Sequence, residues 1–203
     1  VGCTTLCLNL ASELAFHASD RGCVAVDLAP PPGAFAWVTG LTPEAHLARL
    51  ARLPESQLGP EPLRSSIQYA RIWGFHSVPA APDLRDTADL NPQWLTPLLR
   101  ALERAFAFVV LDIGRNLSST NLSAAREAGL VIVLFAPDSE SVEKSQSLLR
   151  FLQLEDVQPE RMLLVSNAAR TLPALAPEAI EQVLGRGPDA SLQDAGPTLR
   201  QSC

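Results

Sequence analysis

Two five-residue runs, Cys23-Val24-Ala25-Val26-Asp27 and Phe108-Val109-Val110-Leu111-Asp112, are apolar at every position but the last. A run that short, without polar alternation, is a strand buried on both faces, which arises where helices cover both sides of a parallel sheet. The chain between and around them supplies those helices. Leu6, Cys7, Leu10, Ala11, Leu14 and Ala18 recur at helical spacing and predict a helix over residues 4–20, stopped by Arg21-Gly22. Asn91-Pro92 opens a second helix, with Leu95, Leu98, Leu99, Leu102 and Phe106 as its stripe. Then follow a polar loop over 114–120, a short helix over 122–127, a strand over 130–135, a helix over 139–154, a strand over 161–166, and a helix from Pro177 that finishes at Gly185. Strands alternating with helices in this way mean βαβ units. The expected fold is α/β, a three-layer α/β/α arrangement on a mostly parallel sheet.

The signals are weaker between residues 34 and 82. Thr42-Pro43-Glu44 reads as the start of a short helix running to about residue 53, since proline suits the first helical position. Residues 54–62 read as loop and 72–78 as a short strand. A single domain over residues 1–185 is expected, with 186–203 a Gly/Pro/polar tail that is loop or disordered.

Charge and cysteine usage remove several function classes. The formal net charge is −6, and Lys144 is the sole lysine, so the molecule as a whole does not attract nucleic acid. Arg49, Arg52, Arg64 and Arg71 fall in one region, but Glu44, Glu55 and Glu61 are interleaved with them, which describes a solvated mixed face. Cys3, Cys7, Cys23 and Cys203 form no C-x-x-C pair, and His17, His46 and His76 are scattered, so a zinc-type site is not expected. His17, beside the stripe of the first helix, reads as a half-buried, satisfied histidine. There is no G-x-S-x-G elbow and no spacing that suggests a Ser-His-acid triad. No segment reads as a signal peptide or a spanning helix, and the expected location is the cytoplasm, with reduced thiols.

Ligands of an open parallel sheet bind at the carboxyl ends of its strands. Three expected strands end there in a polar residue: Asp27, Asp112 and Asn167. Ahead of the first helix stands Gly2-Cys3-Thr4-Thr5, a glycine and hydroxyls leading into a helix N-terminus, which is what an anion-binding loop requires. Each member also has a local reading. Asp27 can end a strand before the proline turn, Asp112 can cap a turn, and Asn167 can be an ordinary strand-exit residue. Taken jointly with the loop, they outline a phosphate and metal site.

The order of these segments resembles the ParA/MinD superfamily of deviant Walker-A P-loop ATPases, and within it the CpaE/TadZ branch of Flp (Tad) pilus assembly. Val1-Gly2-Cys3-Thr4-Thr5 is similar to the last five positions of the loop K-G-G-x-G-K-[ST]-[ST], and Leu8-Asn9-Leu10-Ala11 to the segment that follows it. Val26-Asp27-Leu28-Ala29 resembles the V-D-L-D switch strand, Val109-Val110-Leu111-Asp112-Ile113-Gly114 the Walker-B-like strand, and Val165-Ser166-Asn167 the V-x-N whose asparagine reads adenine. The stretch from Gly187-Pro188-Asp189 to Ala195-Gly196-Pro197 is similar to the closing P-x-D…A…G-x-P.

The resemblance implies ATP and Mg²⁺ as ligands, with Gly2, Cys3, Thr4 and Thr5 around the phosphates. Thr4 would ligate the metal, Asp112 would hold it through water, Asp27 would sit in the switch region and Asn167 would bind the base. It further implies a homodimer that positions or assembles protein partners of a secretion or pilus apparatus; the acid balance makes nucleic-acid binding unexpected, and a tail without a basic amphipathic helix makes direct membrane binding unexpected. Cys3 stands where the family has its phosphate lysine and Ala29 where it has its second switch aspartate, so hydrolysis is expected to be weak or lost. A nucleotide-free pseudo-ATPase module and a ParA-like partitioning ATPase are the alternatives. The family's first, central strand has no counterpart here, so the sequence is expected to be a fragment that begins inside the loop.

Overall fold

The computed structural model describes residues 2–18, 20–29, 34–42, 46–81, 83, 85, 92–115, 117–168 and 174–193. The chain divides into two compact units, one of residues 3–127 and one of residues 1–2 with 128–203.

In residues 3–127 the elements are α1 (Cys3–His17), β1 (Cys23–Asp27), α2 (Ala34–Thr39), α3 (Leu47–Ala51), α4 (Pro60–Ser66), β2 (Gln68–Ala70), β3 (Phe75–Val78), α5 (Pro92–Ala105), β4 (Phe108–Asp112) and α6 (Ser119–Glu127). The sheet order is β2-β3-β1-β4. β1 runs parallel to both β3 and β4, and β2 is antiparallel to β3. Alternation along the strands divides the core in two. Cys23, Ala25 and Phe75 face α1, where they meet Cys7, Leu8, Ala11 and Phe35, with Val110 of β4 packed against them. Val24, Val26 and Val78 face the opposite way, onto Leu47, Leu63, Leu95, Leu98, Leu102 and Phe106 of the other helical layer. Every residue of β1 is buried, as its unbroken apolar run requires.

In the second unit β5 (Val131–Phe135), α7 (Ser139–Leu154), β6 (Met162–Asn167), α8 (Pro177–Leu184) and β7 (Ala190–Leu192) follow in order. The sheet β5-β6-β7 is parallel throughout. Asp138 caps α7 by accepting from the Ser141 N–H at 2.8 Å. Gly185 ends α8 with φ 79° and donates to the Glu181 carbonyl at 2.8 Å.

Both units are α/β with parallel pairing dominant, as the sequence predicts, and the departures are local. The expected loop over 54–62 contains the start of α4, whose Pro60 and Pro62 occupy a first turn where no N–H is needed. The strand expected over 72–78 starts only at Phe75, because residues 71–74 form the turn of a hairpin with β2. The tail expected as loop contributes β7, which pairs with β6 from Val165↔Ala190 to Asn167↔Leu192. The helix expected from Thr42 is seen only as α3, capped by His46, since residues 43–45 lie outside the described residues. His17 is exposed, not half-buried, and pairs with Glu13 at 2.9 Å.

Candidate functional site

β1 and β4 pair in register over five residues, which sets Asp27 directly opposite Asp112. Both continue the parity of the residues that face α1, namely Cys23 and Ala25 on β1 and Val110 on β4. Two carboxylates therefore end neighbouring strands on the side covered by α1. The N-terminus of α1 comes to the same place. Thr4 Oγ1 donates to Asp112 Oδ2 at 2.5 Å, a contact between residues 108 apart in sequence.

The rest of each carboxylate is held by backbone. Asp112 Oδ1 accepts from the Gly114 N–H and Asp27 Oδ1 from the Ala29 N–H, both at 3.0 Å, two matching turns after two strands. Asp27 Oδ2 also receives the Phe35 N–H at 3.5 Å. Both acids are buried, and burial pushes Asp27 up to about 6 although the donated N–H groups pull the other way; the neighbouring Asp112 charge adds to the rise.

Cys3 opens α1 and is half-buried, Thr5 is exposed, and the first turn carries no acidic residue to compete for the helix N-terminus. Below them Cys7 and Cys23 are buried, and burial raises both thiols, Cys23 to about 12. These two cysteines are core residues.

The unit of residues 1–2 with 128–203 brings together the two remaining candidates. Gly2 has φ 92°, and a Cβ built on it would lie 3.1 Å from Asn167 Nδ2 and 4.0 Å from a Leu134 methyl. The positive φ favours glycine, and a side chain here would in addition push the Asn167 amide aside by a few tenths of an ångström. Asn167 ends β6 and pairs with Leu192 of β7, so the strand unforeseen in the tail helps to fix it.

The donor set restricts the chemistry. Thr4 and Asp112 offer hard oxygens, and among the described residues no group of three His, Cys, Asp or Glu gathers as a transition-metal site. One hydroxyl and one carboxylate suit Mg²⁺, which keeps several waters and takes its other ligands from substrate phosphates. Thr4 and Asp112 thus fit an Mg²⁺ ion that carries a phosphate ligand. One further residue is scarcely signalled in the sequence. Asn121 of α6 is buried, and its amide donates to the Ile113 carbonyl at 2.9 Å. A polar residue among Leu122, Ala124 and Ala125 is a faint hint of a buried role and names no partner.

No family model matches this sequence, and no curated protein matches it. Solved structures do. A ParA family ATPase from Chlorobium tepidum TLS aligns over 99% of this chain and 83% of its own, at 18% identity and a TM-score of 0.83. The cell division ATPase MinD of Pyrococcus furiosus covers 98% of this chain and 81% of its own, at 20% identity and a TM-score of 0.75. The septum site-determining protein MinD of Pyrococcus horikoshii OT3, complexed with Mg-ADP, gives 19% identity and a TM-score of 0.76 over 98% of this chain and 79% of its own. At these identities the likeness establishes the fold.

Proposed function

We propose that this chain, which has the fold of the ParA- and MinD-type ATPases, is an ATP·Mg²⁺-binding positioning or assembly factor whose function depends on binding more than on rapid hydrolysis. The observation that carries the reading is the Thr4–Asp112 hydrogen bond, which sets a hydroxyl at a helix N-terminus against a strand-end carboxylate. In this reading Gly2, Cys3 and Thr5 surround the phosphates with backbone N–H groups and hydroxyl, Thr4 ligates Mg²⁺, and Asp112 holds it through water. Asp27 belongs to the switch segment, and Asn167 binds the adenine, a role taken from the family resemblance. When bound, the metal would neutralise phosphate charge.

Hydrolysis is assigned as slow because of two residues. Cys3 offers no cation to the phosphates, and Ala29 offers no acid to orient a water. By the same resemblance the chain forms a homodimer, and its partners belong to a secretion or pilus apparatus of the CpaE/TadZ kind.

Isothermal titration of the full chain with ATP·Mg²⁺ tests the nucleotide claim. Binding is expected in the wild type, weakened about tenfold or more by Thr4→Val, which keeps the shape and removes the hydroxyl. Absence of binding at millimolar ligand sinks the reading. A nucleotide-free interaction module is then preferred, and one feature already favours it: both Asp27 oxygens accept backbone N–H groups, so that carboxylate is satisfied without a cation.

A further inference from the structure

A carboxylate at the end of a strand is only as fixed as the turn that follows it, and sites of this kind depend on a supporting layer of hydrogen bonds. Here the two turns share one support. Asn121, 3% exposed on the first turn of α6, donates from Nδ2 to the Ile113 carbonyl at 2.9 Å and reaches the Leu28 carbonyl at 3.5 Å. Ile113 is the residue after Asp112, and Leu28 is the residue after Asp27. The Asn121 backbone N–H is itself held by Ser118 Oγ at 3.2 Å, and the Leu28 N–H donates to the Asp112 carbonyl at 2.8 Å.

We propose that Asn121 is a positioning residue: its amide clamps the exit turns of β1 and β4 into one piece and thereby sets the Asp27 and Asp112 carboxylates. That the carboxylates serve a metal-bound nucleotide rests on the function proposed above; the clamp itself does not.

The partners dictate an amide. Both are carbonyls, so the side chain must donate twice, and a primary amide nitrogen carries two protons. A carboxylate of the same shape would set oxygen against oxygen beside two existing carboxylates. A leucine would leave the Ile113 carbonyl without this donor, and a hydroxyl has a single proton to give. The two contacts are unequal: 2.9 Å is a strong hydrogen bond and 3.5 Å a marginal one, so the β4 exit is held more firmly than the β1 exit.

Site-resolved amide exchange on the full chain without ligand tests the clamp. The amides to follow are Gly114 and Ala29, which donate to Asp112 and Asp27. In Asn121→Asp both are expected to exchange at least about tenfold faster than in the wild type, Gly114 with the larger change, while Val24 and Val26 in the middle of β1 stay protected. Asn121→Ser, which keeps one donor and adds no charge, is expected to speed Ala29 while sparing part of the protection at Gly114. Unchanged exchange at both turns overturns the clamp, and so does uniform acceleration across residues 3–127, which would mark lost stability only.

Titration with ATP in the presence and absence of Mg²⁺ tests the positioning. Asn121→Asp is expected to weaken the metal-dependent part of binding about tenfold and leave metal-free ATP within about twofold. Equal losses in both arms overturn the positioning role. A wild type that binds neither form refutes the nucleotide reading, and the exchange result then decides the clamp alone.

Discussion

Asp27 carries a charge that its surroundings resist. Its carboxyl is raised from 3.8 to about 6, chiefly by burial, so between about pH 4 and 6 the folded chain keeps a proton that the unfolded chain has released. Stability from this group is fully present below that window and is lost as pH rises through about 6, a change on the order of 3 kcal/mol. Asp27→Asn stays neutral throughout. In urea unfolding the variant is expected to match the wild type near pH 3.5 and to exceed it by about 3 kcal/mol near pH 7. A difference that does not vary with pH contradicts this account. At this scale the sequence reveals residue types and not meetings. Asp27 and Asp112 stand out because each ends an apolar run, but their register and the reach of Thr4 across to Asp112 are products of tertiary pairing. Asn121 is less visible still, since its partners are backbone carbonyls, which no side-chain pattern marks.

At the scale of elements, what repeats is legible and what is short is not. β1, β4 and β5 announce themselves by unbroken apolar runs, which burial on both faces demands of β1, whereas β4 carries the same run with Phe108 exposed and only Asp112 buried. β2 and β7 have three residues each, too few for any period to show, and α4 hides behind prolines that usually signal a break. β7 has a specific anchor all the same. The N–H of Leu164, a fully buried residue, donates to Asp189 Oδ2 at 2.7 Å, and the Asp189 N–H returns to the Leu164 carbonyl at 2.8 Å. Asp189→Ala is expected to leave that amide without its acceptor and cost about 1–3 kcal/mol in denaturant unfolding. Asp189→Asn, which keeps one acceptor oxygen, should recover most of it. Equal losses in the two variants would show that the carboxylate charge is what matters, through Arg186 at 3.5 Å.

For the whole molecule, charge separates the readings of function that the fold leaves open. ParA-like partitioning calls for contact with duplex DNA, which the net charge of −6 over the whole chain opposes. In a mobility-shift assay at low salt no retardation is expected, with or without ATP·Mg²⁺; binding that fades as salt is raised would favour the partitioning reading. Among the described residues no helix is long and apolar enough to cross a membrane. The hairpin strand β2 and the tail strand β7 each stand at one end of their sheet, and each offers three residues of backbone to a passing chain. So short a template gives an incoming strand only a few hydrogen bonds in register. At those two ends brevity itself limits templated fibril growth, the short edge strand being one of the devices by which sheets avoid pairing with strangers.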